Sequence, residues 1–373
     1  VTDLDKTVGW LWLQQTFGGE IWEHIGKDGD PAEVFDRELD NGKGLSPDEV
    51  RAMICRAEEM GQRVVCIDDE DYPESLRTLD DAPAVLFCMG NVSLMNSMTA
   101  VHMVGTRQPT RYTASLISVL CRELVLRGFA VSCGLAEGAD ALTAEAVLDN
   151  GGKLISVVPA ALNGSYPKDR SLAERVAKSG LLVSVRPPDS KARPDFRRRN
   201  RLAVALSGAV IFTQAAADSK GLDNAKQAEK LGRPVLAVPP HLLYAKEYFG
   251  QRDLLRNGCM PLFDGGDAVR VMADNGVIAE GSHALGNVKS HSAADGAGDK
   301  GAAKRSPAKK TPAIDADSSE GRIFAELNEH GELHVDELAA KCGMGMAEVM
   351  AALTSLEIDG MVKSLPGRRY VVS

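Results

Sequence analysis

AVHMVGTRQP (100–109), followed after a helical run by FAVSCGLAEGADALTAEAVL (129–148), decides the fold of this chain. Residues 100–104 form a short apolar run ending at Gly105. Ile117, Leu120, Cys121 and Leu124 then repeat at helical spacing. Residues 129–133 form a second apolar run ending at Gly134. Strand, glycine turn and helix, twice in series, predict parallel strands joined by crossover helices. In open α/β sheets ligands sit beyond the carboxyl ends of the strands. Those ends are Gly105-Thr106-Arg107 and Gly134-Leu135-Ala136-Glu137-Gly138. Each turn is expected to present backbone N–H groups near a helix N-terminus, a natural place for phosphate.

The pattern continues outward. Residues 153–158, 181–185, 209–213 and 234–238 read as further strands, with helices near 170–178, 222–231 and 248–257. Roughly six parallel strands with right-handed crossovers predict an α/β, Rossmann-like doubly wound sheet. Upstream, residues 63–67 read as a strand, and 81–91 as an extended, Pro-restricted segment packing on the first core strand.

Composition separates the regions. The 373 residues are 44% hydrophobic and 25% charged, ordinary values for a soluble protein of two or three domains. No apolar run is long enough to span a bilayer and no leader is evident, which predicts a cytoplasmic protein with no membrane partner. Seven Cys without a C-x-x-C pair or a Cys/His cluster predict reduced thiols and no metal. The net charge of −9 is unevenly divided: −13 over residues 1–98, +7 over 99–274 and −3 over 275–373. A basic core between acidic flanks fits a core that alone faces a polyanion.

Three features of the core carry functional weight. In the first, Gly105, Thr106 and Arg107 form a turn where a phosphate can approach the backbone and meet a guanidinium fork. Pairing of Arg107 with a core carboxylate such as Asp140 is the competing reading. The second is Tyr166-Pro167-Lys168-Asp169, beyond the third strand. Lys168 near a helix start adds a cation, and Tyr166 can stack on a base; a buried Tyr beside a surface Lys is the alternative. The third, RPPDSKARPDFRRRNR (186–201), has seven basic residues against two acidic, with Phe196 interleaved. Arg runs with an aromatic suit single-stranded nucleic acid, whereas a solvated basic loop needs no ligand.

In order along the chain, VGTR, GLAEGAD, YPKD, RRNR followed by LS, GRPVLAVP and GQRDLLRNG resemble the motifs of the DNA-processing protein A (DprA, or Smf) family over about residues 63–260. Departures occur at Ala139, across residues 219–225, at Pro240 and at Arg252-Asp253. The resemblance implies a homodimeric binder of single-stranded DNA, without enzymatic activity or cofactor. It would protect incoming strands during natural transformation and load the RecA recombinase onto them. It points to Gly105, Thr106, Arg107, Gly134, Gly138, Tyr166, Lys168, Phe196, Arg198, Arg199, Asn200 and Arg201 as DNA-binding residues.

The flanks complete a three-part organisation: 1–62, a small helical domain; 63–274, the core; 275–318, a linker; and 319–373, a winged helix. In the first, Ser46-Pro47-Asp48-Glu49 is a capping box opening a helix that Gly61 ends. Such a unit resembles the helix-hairpin-helix or sterile-alpha-motif-like part of DprA relatives, and its −13 charge favours a scaffold role over DNA binding. Residues 275–318 turn to Gly, Ala, Ser, Lys and Asp, as a flexible linker does. In the last part, helices at 323–327, 335–342 and 347–358 precede a hairpin at 361–372 around Pro366-Gly367. Winged helices read DNA with the third helix, but here the segment 346–359 has Glu348, Glu357 and Asp359 and no Lys or Arg, which favours protein contact. A nucleotide-processing enzyme of the LOG phosphoribohydrolase kind is the alternative function. Residues 212–216 lack that group's PGG-x-GT-x-x-E motif, and the first turn lacks the G-x-G-x-x-G of dinucleotide enzymes.

Overall fold

The computed structural model describes residues 3–26, 30–97, 99–278, 318–358, 361–365 and 369–372. The chain divides into two compact units, Val1–His291 and Ser292–Ser373. In the first, nine strands build one sheet: β1 (Arg63–Cys66), β2 (Val85–Gly90), β3 (Ala100–Val104), β4 (Ala130–Ser132), β5 (Leu154–Val157), β6 (Leu181–Ser184), β7 (Ala209–Phe212), β8 (Val235–Ala237) and β9 (Met260–Pro261). Their order is β1-β2-β6-β5-β4-β3-β7-β8-β9. The helices are α1 (Asp3–Phe17), α2 (Ile21–Ile25), α3 (Pro31–Asp40), α4 (Pro47–Glu59), the one-turn α5 (Glu74–Arg77) and α6 (Leu94–Ser97), α7 (Arg111–Leu126), α8 (Ala139–Asp149), α9 (Arg170–Ser179), α10 (Phe196–Ala205), α11 (Asp223–Lys230), α12 (Phe249–Arg256) and α13 (Gly265–Asp274).

Strands β3 to β7 are buried along their whole length, as parallel strands covered on both faces must be. On one face Ile117, Leu120 and Leu124 of α7 join Val147, Val176 and Met272 against Val101, Met103 and Val131. On the other, Leu202 and Ala205 of α10 pack on Ile155, Val157 and Val183. Polar caps set the helix starts: Thr110 accepts from Thr113 N–H at 3.2 Å, Asp169 from Leu172 N–H at 2.9 Å and Asp195 from Arg198 N–H at 3.0 Å.

Two expectations change, and one competing reading fails. Segment 81–91 does not pack on β3; its residues Val85–Gly90 are β2, paired antiparallel with both β1 and β6. Pro restricts only its entry, and Val85, Leu86, Phe87 and Cys88 are apolar enough to be buried as a strand. Seven strands rather than six run parallel, because Met260-Pro261 adds a two-residue edge strand beside β8, too short for a sequence signal. The competing reading of the basic run as a solvated loop fails over residues 196–201, since α10 starts at Phe196 on its Asp195 cap and takes the whole RRNR sequence into the helix.

The N-terminal helices share a core with the sheet margin. Leu11, Trp12, Leu13 and Ile54 cluster with Val85 and Phe87. Gln14 accepts from Val85 N–H at 3.0 Å and donates to Val85 C=O at 2.9 Å, tying α1 to β2. The capping box at α4 is present, and Gly61 follows it at φ 70°.

The second unit contains α14 (Ser319–His330), β10 (Leu333–His334), α15 (Val335–Cys342), α16 (Met346–Ile358), β11 (Val362–Leu365) and β12 (Arg369–Val372), with sheet order β10-β12-β11. Ile323, Leu327, Leu338, Leu353, Leu356 and Tyr370 build its core. α14 is longer than the expected 323–327, because Ser318 caps it by accepting from Gly321 N–H at 3.0 Å. Linker residues 279–317, Asp359 and the wing tip at 366–368 lie outside the described residues. Among the described residues no helix is long and apolar enough to cross a membrane.

The chain leaves β3 for β4 on one side and returns much later as β7 on the other. This reversal opens a crevice beyond the carboxyl ends of β3 and β7, where ligands of open α/β sheets bind.

Candidate nucleic-acid interface

The two glycine turns interlock at this crevice. Ala139 N–H donates to Thr106 C=O at 2.9 Å, so the start of α8 closes on the turn after β3. Gly138 makes this possible: its φ is 84°, and an added Cβ would lie 2.6 Å from Thr106 O and collide with Arg107 O. Gly105 is packed against Ala139 and Thr213. The expected open donors at α8 are partly spent inside the fold. Ala139 is one; Ala136 N–H donates to Asp140 Oδ2 at 3.3 Å, and Ala141 N–H to Ala136 C=O at 3.0 Å. Side-chain cations must therefore supply much of any attraction for an anion.

Gly134 serves a different purpose from phosphate approach. A Cβ there would run into the Arg199 guanidinium and stand 2.7 Å from Asp140 Oδ2. The glycine leaves room for Arg199 to reach across the end of β4 towards the half-buried Asp140. Burial pushes the Asp140 carboxyl above its ordinary range, and Arg199 is the strongest influence holding it down. His102, on β3, is held neutral: burial first and Arg199 second push it down to about 3, and its Nδ1 lies 3.2 Å from Ser132 Oγ. Arg199 thus takes the place beside Asp140 that Arg107 was a candidate for. Arg107 is exposed, with no ion pair among the described residues.

Tyr166 is fixed by two contacts. Its hydroxyl donates to Gly134 C=O at 2.6 Å, and its ring meets Phe196 edge-on, with centroids 5.6 Å apart and planes at 85°. Burial raises the hydroxyl to about 12, so it stays protonated. Tyr166 therefore braces Phe196, which stays 39% exposed and is the better stacking platform of the two. The Arg199 guanidinium lies 5.8 Å from the Phe196 ring centre. Lys168 is exposed and pairs with exposed Glu137 at 2.9 Å, which lowers the Glu137 carboxyl. Such a surface pair is weak and leaves the ammonium free to exchange partners.

Helical geometry divides the RRNR run. Phe196, Arg199 and Asn200 stand at i, i+3 and i+4 and line one hollow of about 410 Å³ together with Gly105, Thr106 and Arg107. An adjoining hollow of about 390 Å³ is lined by Arg107, Gly138, Tyr166, Lys168 and Phe196. Arg198 and Arg201 turn elsewhere. Arg198 is half-buried near Tyr72 and Asp81, and desolvation lowers its guanidinium. Arg201 pairs with Asp81 at 2.8 Å. Of the twelve residues read from the sequence, nine line these two hollows, Gly134 lies against Arg199 and Tyr166, and Arg198 and Arg201 stand apart. Lys220 lines the crevice too and was not foreseen; it lies within residues 219–225, where the family motif is lost.

The segment after β7 braces the crevice instead of forming a nucleotide loop. Thr213 Oγ1 donates to Val104 C=O at 3.1 Å, and Gln214 Oε1 accepts from Thr110 N–H at 2.9 Å. Among the described residues no group of three His, Cys, Asp or Glu could hold a metal ion.

Comparison with known proteins matches residues 63–273 to the family model described as DNA recombination-mediator protein A, and residues 307–368 to the DprA winged helix domain. The DNA processing protein DprA of Bacillus subtilis is 32% identical over 223 residues, 59% of this chain and 74% of that protein. Protein Smf of Synechocystis is 30% identical over 323 residues, 81% of this chain and 78% of the relative. The X-ray structure of DNA processing protein A from Streptococcus pneumoniae superposes with a TM-score of 0.57 at 25% identity, covering 72% of this chain and 95% of the other. DNA processing protein A from Helicobacter pylori, solved for its single-stranded DNA binding mode, gives a TM-score of 0.50 at 28% identity, with 57% and 97% covered.

Proposed function

The chain belongs to the DNA recombination-mediator protein A (DprA/Smf) family, and from that premise we propose that its α/β core binds single-stranded DNA beyond the carboxyl ends of β3, β4 and β7. The observation that carries this reading is the convergence of Arg107, Lys168 and Arg199 around the exposed ring of Phe196. Cations hold phosphates, and an aromatic face takes any base, so binding is without marked sequence preference. Asn200 beside Phe196 offers an amide to a base edge. Bases must be unpaired to reach Phe196, which is why a duplex is the poorer ligand. The likeness to the Helicobacter pylori protein, solved for its single-stranded DNA binding mode, supports the same ligand.

The protein acts as a mediator in the cytoplasm, holding strands and passing them to RecA as a homodimer, and it catalyses no reaction. Family membership supports this part. The test is a gel shift of the full chain with single- and double-stranded DNA of one sequence over a salt series. Single strands should bind more tightly, with affinity falling steeply as salt rises. Equal or tighter duplex binding would overturn the reading.

A further inference from the structure

The crevice does not end at Arg107 and Asn200. Phe196, Asn200 and Lys220 also line a larger hollow of about 750 Å³ between α10 and α11, to which Arg197, Lys226 and Lys230 contribute. Gln227 and Lys230 in turn belong to a further hollow of about 390 Å³ that ends at Asp80 and Arg201. From Lys168 to Lys230 each hollow shares lining residues with the next, so the four lie side by side in a row. Lys226 and Lys230 stand one turn apart on α11 and face the same way. Lys220 and Lys230 have no ion pair among the described residues, and Lys226 has only a 3.5 Å surface contact with Asp223 three residues before it. That carboxylate is the one acidic side chain of the larger hollow. At the far end Asp80 and Asp81 face Arg201, and the run of available cations stops.

We infer that a bound single strand continues from the crevice into this α10–α11 groove, where Arg197, Lys226 and Lys230 hold two to three further phosphates. The inference rests on the single-strand reading above. It assigns α11 a DNA-binding role and gives the strand a direction across the protein, from Lys168 past Phe196 to Lys230. The groove carries cations without an exposed aromatic beyond Phe196, so it holds backbone and not bases. Its contribution is therefore electrostatic and appears only with strands long enough to reach it.

The test compares the full wild-type chain with Lys226→Ala/Lys230→Ala, and with Lys153→Ala/Lys178→Ala as a control of equal charge. Lys153 and Lys178 are exposed and precede β5 and β6, at the amino ends of the strands. Oligo-dT of about 6 and about 20 nucleotides is titrated by fluorescence anisotropy over a salt series. With the long strand, the groove variant should lose about 1.4 from the slope of log affinity against log salt, two phosphates at about 0.7 each. With the short strand it should bind as wild type does, and the control should match wild type with both. A groove variant that keeps the wild-type slope and affinity on the long strand overturns the inference, as does a control that loses as much. If wild type itself fails to bind oligo-dT, the single-strand reading has failed and the inference falls with it.

Discussion

Helices α10 and α16 both stand where a nucleic-acid contact is expected, and they are built oppositely. α10 opens with Phe196-Arg197-Arg198-Arg199-Asn200-Arg201. α16, the third helix of the winged-helix unit, carries Glu348 and Glu357 and neither Lys nor Arg. Its exposed residues include Met346 and Met350, and Glu348 accepts from Ser319 Oγ at 2.8 Å. A phosphate backbone is attracted to the first helix and repelled by the second. A fold places a helix, and the side chains decide what it meets. Within α10 the contrast recurs, because Arg199 reaches the crevice whereas Arg198, one residue away, turns towards Tyr72 and Asp81.

The comparison depends first on the frame that holds α10 opposite Arg107. Gly138→Ala attacks that frame at a positive φ and against the backbone of residues 106 and 107. It should cost about 3 kcal/mol or more in urea unfolding and weaken strand binding with it. A variant as stable as wild type would show that the turns do not interlock as described.

The next effects separate working cations from structural ones. Arg107→Ala should lose about 1.5–3 kcal/mol of single-strand binding with an unchanged circular dichroism spectrum. Arg199→Ala should weaken binding and also lower stability, because Asp140 then loses its strongest charged neighbour. Arg198→Met should leave affinity within about 0.5 kcal/mol of wild type, since it trades a buried guanidinium with unpartnered Nε and Nη2 for an apolar side chain. Anisotropy titrations of the three variants check the split, and a strong binding defect in Arg198→Met would erase the distinction between the two faces of α10.

The smallest effect belongs to α16. Glu348→Gln should change single-strand affinity by less than about 0.5 kcal/mol, as a surface substitution away from the ligand does. A larger gain in affinity would mean that α16 approaches the strand.

Much of this was legible in the sequence because local patterns coincide with tertiary ones. The apolar runs ending at Gly105 and Gly134 are parallel strands of the sheet, and the Ser46–Glu49 box opens α4 where expected. What stayed hidden depends on long-range pairing. Nothing local says that Val85–Gly90 joins β6, and a two-residue strand such as β9 has no period to detect. At the site, motif reading could not say which arginine of a run faces the ligand. The i, i+3, i+4 rule, counted from Asp195 as cap, would have grouped Phe196, Arg199 and Asn200. Lys226 and Lys230 were within reach of the same rule. They were missed because they lie outside the family's motifs.

The central claim is that the α/β core, with α10 at its carboxyl edge, is the DNA-binding element and the winged helix is not. A chain ending at Ile278 keeps β1 to β9, the crevice and the α10–α11 groove, and removes α16 with the rest of its unit. Its affinity for a single strand, measured by anisotropy beside the full chain at one salt concentration, tests the claim most directly. The account predicts affinity within about threefold of the full chain, under about 0.7 kcal/mol. A fragment that remains folded by circular dichroism yet loses nearly all affinity for single strands would contradict it.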